Sequence, residues 1–376
     1  MVTTERITKS QALKMYSDMS LAELAERADE ITGRRHPEKV RTYVIERNIN
    51  YTNICCCLCR FCAYSVSPKS KDGWTLTVEQ ISQKIEALQE LGGNQILLQG
   101  GMNPDLPFGW YEELLRNIKK RFSKLHIHAF SPPEIYFFAQ KFNMTVAKVI
   151  EKLRGAGLDS IPGGGAEILV DRVRKIIAPA KCTSDQWLDV MRQAHQLGMC
   201  TTATMMFGQV ETIQERIEHL ERLRRLQDES LERCEKDDSG GYFTAFTCWP
   251  FQAGATRLIN KLNCYDPIKD KERERREDEL LLAGAHEQIK MTAMSRIFLD
   301  NFDNIQASWV TQGPGIAQLS LKAGCNDIGS LMMEENVVSA AGITFQMKLE
   351  QLRQLIETAG FQPKQRNYYY QPCGYN

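Results

Sequence analysis

No apolar run in this chain approaches the ~20 residues of a membrane-spanning helix. Met1 to Leu21 also lacks the apolar middle of a secretory signal. Charge of one sign is missing too: Lys+Arg and Asp+Glu both number 47, so the net charge is zero and no basic footprint for nucleic acid exists. There is no Walker A loop and no G-x-G-x-x-G fingerprint, which argues against nucleotide hydrolysis. A zinc ribbon wants a second C-x2-C pair, and none is present. These absences point to a cytoplasmic metabolic enzyme acting on a small molecule, with neither membrane nor nucleic acid as partner.

What the chain does hold is thiol. It has 12 cysteines in 376 residues, and five stand at positions 55, 56, 57, 59 and 62. Such small side chains would fill a core poorly. In a reducing compartment clustered cysteines bind metal or do chemistry rather than form disulfides. Soft thiolates on one short loop suit zinc or an iron–sulfur cluster. Two registers are open. Cys56, Cys59 and Cys62 read C-x2-C-x2-C, the start of a ferredoxin run, which should continue to a fourth cysteine followed by Pro. Ser65, Val66 and Ser67 follow instead, and the next cysteine is Cys182. Cys55, Cys59 and Cys62 read C-x3-C-x2-C. Either register anchors three ligands, so a four-iron cluster would keep one iron open. Open positions belong to metal sites that do chemistry.

Around this loop the pattern alternates. Leu21 to Ile31 has helical spacing, and Thr42 to Ile49 reads as strand one. Val78, Ile81, Ile85, Leu88 and Leu91 mark an amphipathic helix, and Ile96 to Leu98 a buried strand. Helices over Tyr111–Phe122, Val146–Leu153, Trp187–Leu197 and Ile213–Leu226 alternate with strands at Leu125–Phe130, up to Ile161, Thr201–Phe207 and Tyr242–Trp249. Arg276 to Leu299 reads as helix and Asn304 to Val310 as strand. Asp228 to Gly240 reads as a polar surface loop and Lys269 to Glu279 as a solvated helix face. Gln346 to Ala359 reads as a last helix, and the tyrosine-rich tail from Arg366 as poorly ordered. Such alternation implies parallel strands with right-handed crossovers. The expected fold is an α/β barrel, partial or complete, with an open doubly wound sheet as rival. Boundaries are expected at 1–41 for an N-terminal helical segment, 42–313 for the barrel core and 314–376 for a C-terminal extension that closes it. The hydrophobic content of 43% is enough for such a core.

Active sites of parallel barrels lie at the C-terminal ends of the strands, and the unusual segments fall there. Gly100-Gly101 follows strand two and permits close approach of a ligand, or merely a tight turn. His128, Ser131 and Glu134 follow strand three. Gly163-Gly164-Gly165-Ala166-Glu167 follows strand four, and Met206 ends strand five. Thr311-Gln312-Gly313 and Glu334-Glu335-Asn336 lie late and could close a substrate end.

The C-x3-C-x2-C spacing, with Phe61 before its last cysteine, resembles the radical S-adenosylmethionine enzymes. The flanks narrow the likeness: Arg47-Asn48-Ile49-Asn50-Tyr51-Thr52-Asn53, Gln95-Ile96-Leu97-Leu98-Gln99-Gly100-Gly101, His126-Ile127-His128-Ala129-Phe130-Ser131-Pro132-Pro133-Glu134, Gly163 to Glu167 and Thr201 to Gly208. Together, from about Arg47 to Glu335, they resemble the dehypoxanthine futalosine cyclases of the futalosine route to menaquinone. That resemblance implies a [4Fe-4S] cluster on Cys55, Cys59 and Cys62. It implies S-adenosylmethionine held near Phe61, Gln99, Gly100, Gly101, Glu167 and Met206. His128, Ser131, Glu134, Asp327 and Glu334 become candidates for substrate contact or for the general base. Flavodoxin or ferredoxin would be the external one-electron reductant, and dehypoxanthine futalosine the substrate. Met102 stands where the superfamily often has Glu, which leaves the amino-group contact to carbonyls or Gln99. The rival functions are an aminofutalosine synthase, a deazaflavin-pathway radical enzyme, and a ferredoxin-like electron carrier.

Overall fold

The computed structural model describes residues 6–237 and 240–373, without the side chain of residue 237. Two capped helices come first, α1 (Lys9–Asp18) and α2 (Leu21–Arg35). Each opens on a capping box, Thr8 with Gln11 and Ser20 with Glu23, in which side chain and backbone satisfy each other's free donors. Then come β1 (Val40–Val44), β2 (Glu46–Asn50), α3 (Val78–Glu90), β3 (Gln95–Gln99), α4 (Phe108–Arg121) and β4 (His126–Ala129). The middle holds α5 (Pro132–Lys141), α6 (Val146–Ala156), α7 (Asp171–Ile177), α8 (Ser184–Gln196), β5 (Thr201–Phe207), α9 (Ile213–Asp237) and β6 (Phe243–Pro250). The chain ends with α10 (Ala285–Phe298), β7 (Asn304–Gln306), α11 (Pro314–Ser320), β8 (Asp327–Ser330), α12 (Leu349–Thr358) and β9 (Gln362–Gln365).

Every strand pairing in the sheets is parallel, and the ring closes. One sheet runs β2-β3-β4 and the other β5-β6-β7-β8-β1-β9. Parallel bridges from His128 to Ser160 and from Ile161 to Thr201 join them. The first strand closes the circle because it bends near Ile45. Its first half pairs with β8, Thr42 opposite Asp327, and its second half with β3, Glu46 opposite Gln95. The result is a closed, TIM-like barrel. The helices bury regular apolar stripes against it; Ile81, Ile85 and Leu88 of α3 are fully covered. Gly157 ends α6 at φ +119°, a left-handed turn that suits glycine.

Several expectations need correction. Strand one is two short strands. α1, α5 and α7 were not foreseen. Residues 228–237 continue α9 as helix, and residues 238–239 lie outside the described residues. Residues 269–279 form turns rather than a helix, and the helix expected from Arg276 begins at Ala285. β7 stops at Gln306. The strand that completes the ring, β8, lies beyond residue 313. The tail from Arg366 to Cys373 is ordered, against expectation, and residues 374–376 lie outside the described residues. β9 joins the outer edge of β1, and Arg366 makes a buried bidentate ion pair with Asp327, at 2.5 and 3.0 Å. Tyr368 stacks on His126 with ring centroids 4.3 Å apart.

Burial pushes His126 down to about 4, His195 and His219 down to about 3, and His128 well below the usual range. These rings are neutral in the folded chain and take protons when it unfolds. Stability is therefore intact above about pH 6.5 and falls as the pH drops toward 4, by up to about 1.4 kcal/mol per ring per pH unit. Burial raises Glu46 and Glu134, which act in the opposite sense over part of this range. Urea unfolding at pH 7 and pH 5 should show a net loss of several kcal/mol at pH 5; equal midpoints would contradict it.

Candidate active site

The cysteine loop is pinned by backbone. The Cys55 N–H donates to the Val66 carbonyl (2.9 Å), Cys56 to Met102 (3.0 Å), and Gly101 to Thr52 (3.0 Å). A Cβ at Gly101 would stand 2.1 Å from the Ile54 carbonyl oxygen, and one at Gly100 2.5 Å from the Tyr51 ring. The glycine pair therefore lets the loop lie on the end of β3, a reason internal to the chain. Arg60 ties the far side, donating its N–H to Ile177 (2.8 Å) and accepting from Leu258 (2.7 Å).

Cys55, Cys57 and Cys59 are buried, Cys62 is half-buried and Cys56 is exposed. Cys57 turns its sulfur toward Cys55, and that sulfur also lies 3.3 Å from the Ala180 carbonyl and 3.5 Å from the Met102 sulfur. A hydrogen bond from Cys57 holds the Cys55 thiol well below its usual range. Burial pushes Cys59 up to about 12 against the pull of Lys181. Among the described residues no three His, Cys, Asp or Glu side chains converge where a single ion could sit. The soft donor set fits a cluster that offers each thiolate its own iron.

Below the loop the barrel encloses a cavity of about 390 Å³. Phe61, Cys62, Gln99, Gly163 to Gly165, Glu167 and Met206 line the end under the loop. Trp249, Phe251 and Trp309 form part of its wall. Glu46 and Gln95, from the starts of β2 and β3, line it with Arg366, Tyr368 and Tyr370 of the tail. Glu167 adopts φ +47°, a strained conformation for a residue with a Cβ. Its carboxylate accepts from the buried Lys181 ammonium (2.8 Å), which also lies 4.9 Å over the Phe61 ring. Burial alone would pull Lys181 down, but Cys59 and Glu167 facing it push it up.

Phe61, Gln99, Glu167, Met206 and His128 thus meet at the cavity. His128 has both ring nitrogens engaged, with Ser160 at 2.6 Å and Thr202 at 3.3 Å. Ser131 and Glu134 cap α5 instead. Glu134 accepts from Tyr51 (2.6 Å), Ser131 and the Gly100 N–H (3.1 Å), so it steadies the glycine turn. Asp327 is taken up by Arg366, Thr42 and the Gly329 N–H. Glu334 lies in a separate outer cleft with Arg47 and Lys84. Lys181, Glu46, Arg366, Tyr368 and Tyr370 were not foreseen. Nothing in their spacing marks Lys181. Glu46 could have been read from the alternation of Glu46, Asn48 and Asn50, polar residues on one face of a strand.

The sequence model of the Radical SAM superfamily matches residues 49–223, and that of the CofH/MqnC C-terminal region matches residues 240–375. A cyclic dehypoxanthine futalosine synthase of Halalkalibacterium halodurans is 42% identical, covering 98% of this chain and 92% of that one. The chain belongs to the radical SAM superfamily. It is an enzyme of that superfamily and uses a [4Fe-4S] cluster and S-adenosylmethionine on a small-molecule substrate. A 5-amino-6-(D-ribitylamino)uracil–L-tyrosine 4-hydroxyphenyl transferase of Methanosarcina barkeri is 38% identical, covering 93% of this chain and 86% of that one. The crystal structure of methylornithine synthase matches the fold with a TM-score of 0.66 and 19% identity, covering 95% of this chain and 94% of that one. Among the described residues no helix is long and apolar enough to cross a membrane.

Lys181→Met would leave the Glu167 carboxylate buried without its cation, a loss of about 3 kcal/mol or more. Thermal unfolding of the single variant should fall by several degrees. Adding Glu167→Gln should recover much of the loss. A single variant as stable as the parent would contradict the pairing.

Proposed function

We propose that the chain cyclises dehypoxanthine futalosine, with hydrogen removed from its ribose, the carbon radical added to its benzoate ring, and a proton and an electron lost, for which the oxidised cluster would be the electron acceptor. The likeness to the Halalkalibacterium halodurans protein carries this choice, because it is higher and longer than that to the Methanosarcina barkeri protein. Cys55, Cys59 and Cys62 would hold the cluster and leave one iron to the amino and carboxylate groups of S-adenosylmethionine. Bound together, cluster and S-adenosylmethionine supply a 5′-deoxyadenosyl radical once an external donor such as flavodoxin or ferredoxin has provided an electron.

The chain's own residues do the rest. Gln99 and the carbonyls of the Gly100-Gly101 turn face the methionine end, and Glu167 takes the adenosyl ribose hydroxyls. Phe61 and Met206 pack beside them. The closed barrel keeps solvent from quenching the radical, and the Trp249 and Trp309 walls hold aromatic substrate. As a proton acceptor His128 is poorly suited, since burial holds it neutral and both nitrogens are engaged. Glu134 and Asp327 are saturated by their own partners. Glu46, Glu167 and Glu335 are the carboxylates that line the cavity.

The test is turnover by the anaerobically reconstituted enzyme with dithionite and S-adenosylmethionine. Dehypoxanthine futalosine should raise 5′-deoxyadenosine release and be consumed to a product of lower mass by two hydrogens. Stimulation instead by the ribitylaminouracil with L-tyrosine would replace this reading with the transferase one.

A further inference from the structure

A TIM barrel usually fills its interior with Val, Ile and Leu. Here the neighbouring strands β2 and β3 turn Glu46, Asn48, Gln95 and Gln99 into the cavity. Glu46 and Gln95 face each other in register at the start of the strands. They stand roughly 13 Å below the level of Gln99, at ~3.3 Å per residue. Burying such groups costs free energy unless something answers them.

Little in the chain does. Glu46 is 8% exposed and accepts from Gln95 Nε2 through one oxygen, with the Ser330 hydroxyl and the Arg366 guanidinium near it. A carboxylate has about four acceptor positions, so acceptor capacity remains. Gln95 Oε1 is buried without a partner. Asn48 is 7% exposed, and its side-chain Oδ1 is buried without a hydrogen-bond partner among the described residues. Arg366 commits three N–H groups, to Asp327 and to the Asn367 carbonyl, out of the five an arginine carries. The floor therefore presents spare acceptors and spare donors side by side.

That mixture selects among ligands. A carboxylate only accepts and would meet Glu46 and Asp327. An ammonium only donates and would meet Arg366. A hydroxyl does both, and does so whether Glu46 is charged or protonated. We propose that Glu46, Asn48, Gln95 and Arg366 form a subsite for adjacent hydroxyls of a five-carbon sugar or polyol, with Glu46 the residue that discriminates. This subsite is distinct from Glu167 at the loop end. It rests on the functional reading above in assigning those hydroxyls to the ribose of dehypoxanthine futalosine, and it would orient that ring for hydrogen removal.

The experiment measures dissociation constants on the reconstituted holoenzyme with S-adenosylmethionine bound. The probes are dehypoxanthine futalosine and analogues lacking one ring hydroxyl, and 5-amino-6-(D-ribitylamino)uracil and its monodeoxy analogues. The parent enzyme should prefer the hydroxylated form of its ligand by about tenfold or more. In Glu46→Gln that preference should shrink below about threefold, and Asn48→Ser should reduce it as well. The ratio cancels a general loss of fold, because both forms of the ligand meet the same protein. If dehypoxanthine futalosine does not bind but the ribityl compound does, with a preference that Glu46→Gln removes, the cyclase reading fails and the subsite stands. If dehypoxanthine futalosine turns over and the preference is absent, or survives in both variants, the cyclase reading stands and the subsite is overturned. Binding of neither ligand overturns both.

Discussion

The site depends on one close approach of backbone to backbone. Residues 54–56 lie on residues 100–102, with no room for a Cβ at Gly101 and with the Cys56 N–H on the Met102 carbonyl. A loop carrying five thiols has many conformations, and a cluster needs one. The barrel supplies it by giving the loop a fixed edge to lie on. Glu134 reaches from the start of α5 to the Gly100 N–H, so the turn is held from a third element. Carboxylate, glycine and cysteine, far apart in sequence, thus act on the same few ångströms of chain.

From that edge inward, polarity is arranged along the barrel axis. Under the loop stand Glu167 and Lys181, a buried pair whose cation rests on the Phe61 ring. At the other end the tail enters beside β1 and sets Arg366 against Asp327. Tyr370 packs under that guanidinium, 3.9 Å from the ring centroid. A buried ion pair contributes little net stability in general, but it fixes the orientation of a guanidinium. Tail, first strand and last strand therefore close the barrel and shape its floor in one arrangement.

The barrel and the cysteine loop were legible because each is written in a local period. Apolar residues repeat along α3, and three cysteines are fixed by spacing. Elements without such a signal were lost. β8 is Asp-Ile-Gly-Ser, too short and too polar to read as a strand, yet its Asp327 anchors the tail. α5 begins Ser-Pro-Pro-Glu, which combines a capping box with proline in the first turn, a helix start signal in a segment read for its polar residues. The charged run 228–237 was read as loop because it has no clear apolar stripe; it is held as the end of a long helix. The tail looked disordered because its tyrosines show no period, and the burial of Tyr368 depends on a barrel interior that no local pattern reveals. Lys181 and Arg366 belong to the same class: their partners stand 14 and 39 residues away.

Cys55, Cys59 and Cys62 would leave one iron atom free, and the sulfonium cofactor would occupy it. Electron–nuclear double resonance on the reduced cluster, with S-adenosylmethionine labelled by 15N at the amino group and 17O at the carboxylate, reads that iron directly. Hyperfine coupling to both labels is expected. Absence of coupling, or a protein side chain as fourth ligand, would contradict it.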